Sequence, residues 1–98
     1  MNIVKKQNGN QLEIALEGRL DSVTAPALKR ELAEALRDTT ALTLDFSRVE
    51  CISSAGLRVL LSTYQSLMGK GVMKVTHINE IVREVFEVTG FSKILTIE

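Results

Sequence analysis

Between Leu42 and Met68 the spacing of apolar residues changes period, and that change constrains the fold more than any other feature of the chain. Leu42, Leu44 and Phe46 alternate with Thr43 and Asp45, the period of two expected of a half-buried strand. Leu57, Leu60, Leu61, Tyr64, Leu67 and Met68 then recur three and four apart, the stripe of an amphipathic helix that ends before Gly69 or Gly71. A strand therefore leads through a short loop, Glu50 to Ser54, into a helix, with Ser53 and Ser54 where the helix begins. A helix N-terminus presents unpaired backbone N–H groups and the positive end of the macrodipole. A serine there caps the helix or, once phosphorylated, holds its phosphate in a favourable field.

The same two periods recur on either side. Leu12, Ile14 and Leu16 alternate with Glu13, Ala15 and Glu17, and Ile3 to Lys6 is the candidate hairpin partner across the Asn8, Gly9, Asn10 turn. After Gly18 to Asp21 the spacing of Ala25, Leu28, Leu32, Ala35 and Leu36 predicts a helix, with Thr24 or Asp21 as cap and Pro26 tolerated in the first turn. Val72 to Ile78 is rich in β-branched residues. Asn79 caps a third helix with Ile81, Val82, Val85 and Phe86 as its apolar positions and Gly90 at its end, and Ile94 to Ile97 is the candidate for a short last strand. The order β-β-α-β-α-β-α predicts an α/β fold with a mixed sheet of four to five strands and helices packed on it, because strands separated by helices need crossover connections. No linker, low-complexity block or repeat interrupts it, so residues 1–98 are expected to form a single domain. In such sheets, sites lie beyond the carboxyl ends of the strands, where the Gly18 to Thr24 and Glu50 to Ser54 loops are expected to be neighbours.

Composition narrows the function classes. Twelve basic residues balance twelve acidic ones, so no bulk field draws the chain to nucleic acid or an anionic membrane, and partners must be recognised by local shape. No apolar run approaches the roughly 18 residues that span a bilayer, and Met1 to Lys6 lack the apolar stretch of a secretory signal, which predicts a cytoplasmic protein without membrane insertion. Cys51 is the only cysteine and reads as a small buried hydrophobe. Catalysis is not expected: Ile52 stands where the nucleophile elbow of a serine hydrolase needs its first glycine, and His77 is the only histidine. Phosphate loop, dinucleotide fingerprint and metal-ligand spacing are all missing, so neither cofactor nor metal is expected. Asp45 reads as a turn residue and His77 as a hydrogen-bonded edge residue at a strand end.

Three segments carry a resemblance: Leu16, Glu17, Gly18, Arg19, Leu20, Asp21 with Ala25; Leu44, Asp45, Phe46, Ser47 followed by Ile52, Ser53, Ser54, Ala55, Gly56, Leu57; and Val85 to Phe91. In this order and spacing they resemble the bacterial anti-sigma-factor antagonists, built on the STAS domain, over almost the whole chain. The resemblance implies a non-enzymatic regulator that binds an anti-sigma factor of the histidine-kinase-like ATPase type and so releases a sigma factor. It also implies that the kinase ends the interaction by phosphorylating its antagonist, which a serine phosphatase restores. The family's phosphorylated serine falls on Ser54. Many relatives carry an aspartate before that serine and a serine or threonine after it; here Ser53 and Ala55 stand there, and Ser53 is the second-choice acceptor. The expected partner surface is Asp21, Ser22 and Thr24 with Ser53, Ser54, Gly56 and Arg58. Single roles stay open. Asp21 either caps the first helix or contacts the partner, Gly56 either packs on the sheet or leaves room for a nucleotide-bearing lid, and Arg58 is a solvated side chain or a phosphate clamp. A different class, a constitutive interaction module in a transport ATPase or a stress-signalling scaffold, predicts no modification of either serine.

Overall fold

The computed structural model describes all residues from Met1 to Glu98. In chain order the elements are β1 (Asn2–Asn8), β2 (Gln11–Leu20), α1 (Ala25–Ala35), a 3-10 turn (Leu36–Asp38), β3 (Ala41–Ile52), α2 (Ser54–Leu67), β4 (Val72–Thr76), α3 (Glu80–Thr89), a second 3-10 turn (Phe91–Lys93) and β5 (Thr96–Ile97). The five strands pair in sequence order, β1 antiparallel to β2 and every later pair parallel. This is the expected mixed α/β sheet, with the short last strand present. The hairpin closes through Gly9 and Asn10, with Asn8 opposite Gln11, and Gly9 takes φ +62°, a conformation that costs glycine little.

One face of the sheet is buried under the helices. Leu12, Ile14 and Leu16 of β2, Leu42, Leu44 and Phe46 of β3, and Met73 and Val75 of β4 meet Leu28 and Leu32 of α1, Leu57, Leu60 and Leu67 of α2, and Val82 and Phe86 of α3 in one core cluster. The other face, with Glu13, Ala15, Thr43 and Lys74, stays open. Two apolar stripes differ from the spacing reading. On α2, Val59 and Thr63 are buried while Met68, just past the helix end, is exposed; on α3, Ile81 is exposed and Val82 and Phe86 face the core. Thr63 is accommodated because its hydroxyl donates to the Val59 carbonyl one turn back.

The larger correction concerns the two segments read as loops. Gly18 to Leu20 belong to β2, and Glu50 to Ile52 belong to β3, a strand of 12 residues. The pairing steps from Ala15–Asp45 to Glu17–Arg48 and from Gly18–Val49 to Arg19–Cys51, so β3 carries one extra residue at each step. Each bulge shifts the inward phase, so that buried positions run 42, 44, 46, 49 and 52 rather than every second residue. Asp45 sits at the first bulge and its Oδ1 accepts from the Ser47 N–H at 2.9 Å, the local role expected of it. His77 differs from its reading. It occupies a left-handed bend after β4 (φ +59°), its backbone N–H donates to the Glu98 carbonyl, and its ring is exposed with Nδ1 at 3.6 Å from Asp45 Oδ1, too long for a hydrogen bond. Cys51 is half-buried rather than buried.

Asn79 ties α3 to the far end of β3. Its Oδ1 accepts from the Val82 N–H at 2.8 Å, capping the helix, while its Nδ2 donates to the Val49 and Glu50 carbonyls at 3.0 and 3.1 Å. Asn79→Ala is expected to cost about 2–3 kcal/mol in urea unfolding, from one cap and two backbone contacts. Asn79→Asp keeps the cap and loses the donors, so its loss should be smaller but still measurable; Asn79→Asp as stable as wild type would show that the tie to β3 contributes nothing.

Candidate functional site

Parallel pairing of β2 with β3 brings their carboxyl ends together, Leu20 beside Ile52, and both chains turn there into helices. The Ser53 N–H donates to the Leu20 carbonyl at 2.9 Å, which fixes the start of α2 against the end of β2. Gly56 makes this approach possible. It is buried, and a Cβ built on it would lie 2.7 Å from Leu20 Cγ, 2.8 Å from Ile52 Cγ1 and 2.9 Å from the Leu20 carbonyl oxygen. Of the two roles open for Gly56, the packing one is visible in the structure: the missing Cβ lets the helix start sit close.

The two serines part company. Ser53 is the N-cap residue, with φ −103° and ψ 178°, but its side chain makes no capping bond and its Oγ is buried without a hydrogen-bond partner. Ser54, the first helical residue, is exposed. Capping therefore does not account for Ser54, and its hydroxyl stands free where the dipole and the first-turn N–H groups favour an anion.

The neighbouring loop is built by Asp21 and Thr24. Asp21 Oδ1 accepts from the N–H groups of Val23 at 3.0 Å and Thr24 at 3.2 Å, and Thr24 Oγ1 donates to the Arg19 carbonyl at 2.6 Å while accepting from the Asp21 N–H at 3.0 Å. Thr24 is the N-cap of α1, though its side chain makes no capping bond; Asp21 closes the turn before it. The Val23 N–H and then the Thr24 N–H hold the Asp21 carboxyl below the usual carboxylate range, and the Ser47 N–H, against a smaller opposing effect of burial, does the same for Asp45. A lowered folded-state value means that the stabilisation is complete above the unfolded value of about 3.9 and is lost as pH falls through the folded value. Wild type should therefore lose its stability advantage over Asp21→Asn below about pH 4. A wild-type-to-variant difference that stays constant from pH 7 to pH 3 in urea titrations is the contrary result.

Ser22 and Val23 project from this loop, and Val23, at 83% exposure, is an apolar side chain left in water. Arg58 leaves α2 toward solvent and lines a groove between α1 and α2 with Ser22, Lys29 and Ser62, over an apolar lining that includes Ala25 and Val59. Sequence reasoning singled out Arg58 but missed Val23 and Lys29. The exposed valine inside a polar loop was the available signal for the first; Lys29 had none, since its place beside Arg58 depends on how the helices pack. A wider hollow lies on the open sheet face among Lys6, Glu13, Thr43 and Lys74, and the site at the strand ends is not part of it.

The family model described as "Mlab, STAS domain" matches residues 3–96. The chain belongs to the STAS-domain family. This STAS domain is 26% identical over 98 residues to the anti-sigma-B factor antagonist of Bacillus subtilis strain 168, covering 99% of this chain and 90% of that one. It is 33% identical over 99 residues to a Bordetella bronchiseptica protein provisionally named anti-sigma factor antagonist BtrV, covering 99% and 85%. Among solved structures, an anti-sigma factor antagonist from Mycobacterium paratuberculosis superimposes with a TM-score of 0.89 at 28% identity, covering 98% of this STAS domain and 83% of that chain. SpoIIAA in its phosphorylated form shares the fold, with a TM-score of 0.78 at 18% identity over 99% of this STAS domain and 91% of that chain. No helix is long and apolar enough to cross a membrane.

Proposed function

We propose that residues 1–98 act as a single-domain cytoplasmic anti-sigma factor antagonist that binds an anti-sigma factor of the histidine-kinase-like ATPase type and thereby frees a sigma factor. On this reading the ATPase phosphorylates Ser54 to end the interaction, and a serine phosphatase reverses it. The observation that carries the proposal is the exposed hydroxyl of Ser54 on the first residue of a 14-residue helix, beside the Asp21 to Thr24 loop. The names of its relatives support the regulatory role, and the sealed Oγ of Ser53 favours Ser54 as acceptor. A phosphate adds a charge near −2 that backbone donors and the helix dipole tolerate, so the fold survives while the partner meets a new anion.

Incubation with the anti-sigma ATPase and ATP, followed by mass-spectrometric site mapping, is expected to mark wild type and Ser53→Ala equally and to leave Ser54→Ala unmarked. A mark that persists in Ser54→Ala overturns the assignment. A second reading, a constitutive module of a larger assembly, is favoured by the residues flanking Ser54: Ser53 supplies no carboxylate and Ala55 no hydroxyl. Absence of any mark on wild type selects that reading.

A further inference from the structure

Lys29 and Arg58 are both exposed, and neither takes part in the lysine and arginine ion pairs of the protein, which join Lys5 to Glu31, Arg48 to Glu17 and Lys74 to Glu98. Both line the groove between α1 and α2, Lys29 from α1 and Arg58 from α2, and no acidic residue lines it. Two unpaired cations over an apolar lining of Ala25, Pro26, Ala55 and Val59, with Ser22 and Ser62 as further donors, complement a carboxylate flanked by an apolar group. The groove is continuous with the Ser22–Val23 loop, whose exposed valine extends the apolar contact.

Arg58 also stands one helical turn after Ser54, at i+4 on the same face. Helical side chains lean toward the N-terminus, so the guanidinium is within reach of the turn that carries Ser54. A phosphate there offers a dianion with three acceptor oxygens to the planar donor fork of Arg58, a stronger and closer partner than a carboxylate from another protein.

We propose that the α1–α2 groove docks an acidic side chain and an adjacent apolar residue of the anti-sigma partner through Lys29 and Arg58, and that a phosphate on Ser54 releases it by drawing Arg58 out of the groove. The inference rests on the antagonist reading and adds to it the chemistry of the partner's contact. The shutoff then has two parts: a new anion at the interface and the loss of a cation that the partner used.

The test uses the full chain and the ATPase that phosphorylates it in the mapping assay. Lys29→Glu and Arg58→Glu should each weaken binding of the unphosphorylated protein about tenfold or more, as loss and reversal of one charge-assisted contact implies, with thermal stability close to wild type. Glu34→Lys, on the exposed side of α1 outside the groove, should bind as wild type does. Binding left unchanged by both groove substitutions, while Ser54→Glu abolishes it, overturns this inference and leaves the antagonist reading standing. Wild type that binds no such ATPase overturns both. The Arg58 half has a readout that needs no partner: phosphoserine installed genetically at position 54, followed by phosphorus NMR across pH 4 to 8. Pairing with Arg58 should hold the second phosphate ionisation lower in the wild-type background than in Arg58→Gln, and coincident titration curves overturn it.

Discussion

Ser54→Asp is expected to weaken binding to the anti-sigma partner at least tenfold while leaving the fold intact. A carboxylate brought within about 4 Å of a partner carboxylate costs on the order of 4 kcal/mol at an effective dielectric near 20, and a third of that is already a factor of ten. The same charge favours the domain itself. Residue 54 is the first of α2, where a negative side chain gains roughly 0.3–1 kcal/mol from the dipole, so the melting temperature should hold or rise by a few degrees. Charge, not size, is the agent, which Ser54→Asn isolates: it has nearly the volume of aspartate and should bind close to wild type. Isothermal titration against the ATPase decides the matter, and Ser54→Asp binding as tightly as wild type contradicts the switch.

The separation of binding from stability follows from how the site is held. Gly56 and the bond from the Ser53 N–H to the Leu20 carbonyl fix the helix start from beneath, and Asp21 and Thr24 close the adjoining loop through their own backbone contacts. None of these involves the Ser54 side chain. A group can be added to that hydroxyl without disturbing what positions it, whereas Ser53, with its Oγ sealed, offers no such freedom.

Much of this was legible in the sequence where a period was sustained. Leu12, Ile14 and Leu16, Leu42, Leu44 and Phe46, and the helical spacing from Ala25 to Leu36 all name residues that the core contains or that pack against it. The far half of β3 was not legible, because two bulges each insert a residue and the burial steps from Phe46 to Val49 to Ile52 imitate a loop. The stripe on α3 misled for another reason: with Val82 and Phe86 inward, Ile81 is left on the solvent side, and only the packing angle of the helix decides which apolar neighbours face in. Ser54 at the helix start was readable from punctuation alone. The contrast between a free Ser54 and a buried Ser53 was not, since it depends on which way adjacent side chains leave a helix terminus.

Phe86→Ala is expected to cost about 3–5 kcal/mol, the range for truncating a buried aromatic residue. Its ring is fully buried between Phe46, at 6.4 Å between centroids, and Phe91, at 6.2 Å, so the vacated space is bounded by two rigid rings that collapse poorly. A domain of this size has roughly 5–15 kcal/mol in total, so the melting temperature should fall by more than about 10 °C. Phe86→Leu, which refills most of the space, should lose less than half as much, and a similar loss in both variants would mean that the cavity is not the cause. Phe46 is the inward residue within the first bulge of β3, between Asp45 and Arg48, which links this loss to the strand segment that leads to Ser54. The consequence for function differs in kind from that of Ser54→Asp. Bound partner should track the folded fraction of Phe86→Ala through a urea titration, with the affinity of the folded molecules unchanged, whereas Ser54→Asp lowers affinity with every molecule folded. Weak binding by Phe86→Ala in conditions where circular dichroism reports it fully folded would place the core, and not charge at the helix start, in control of the interface.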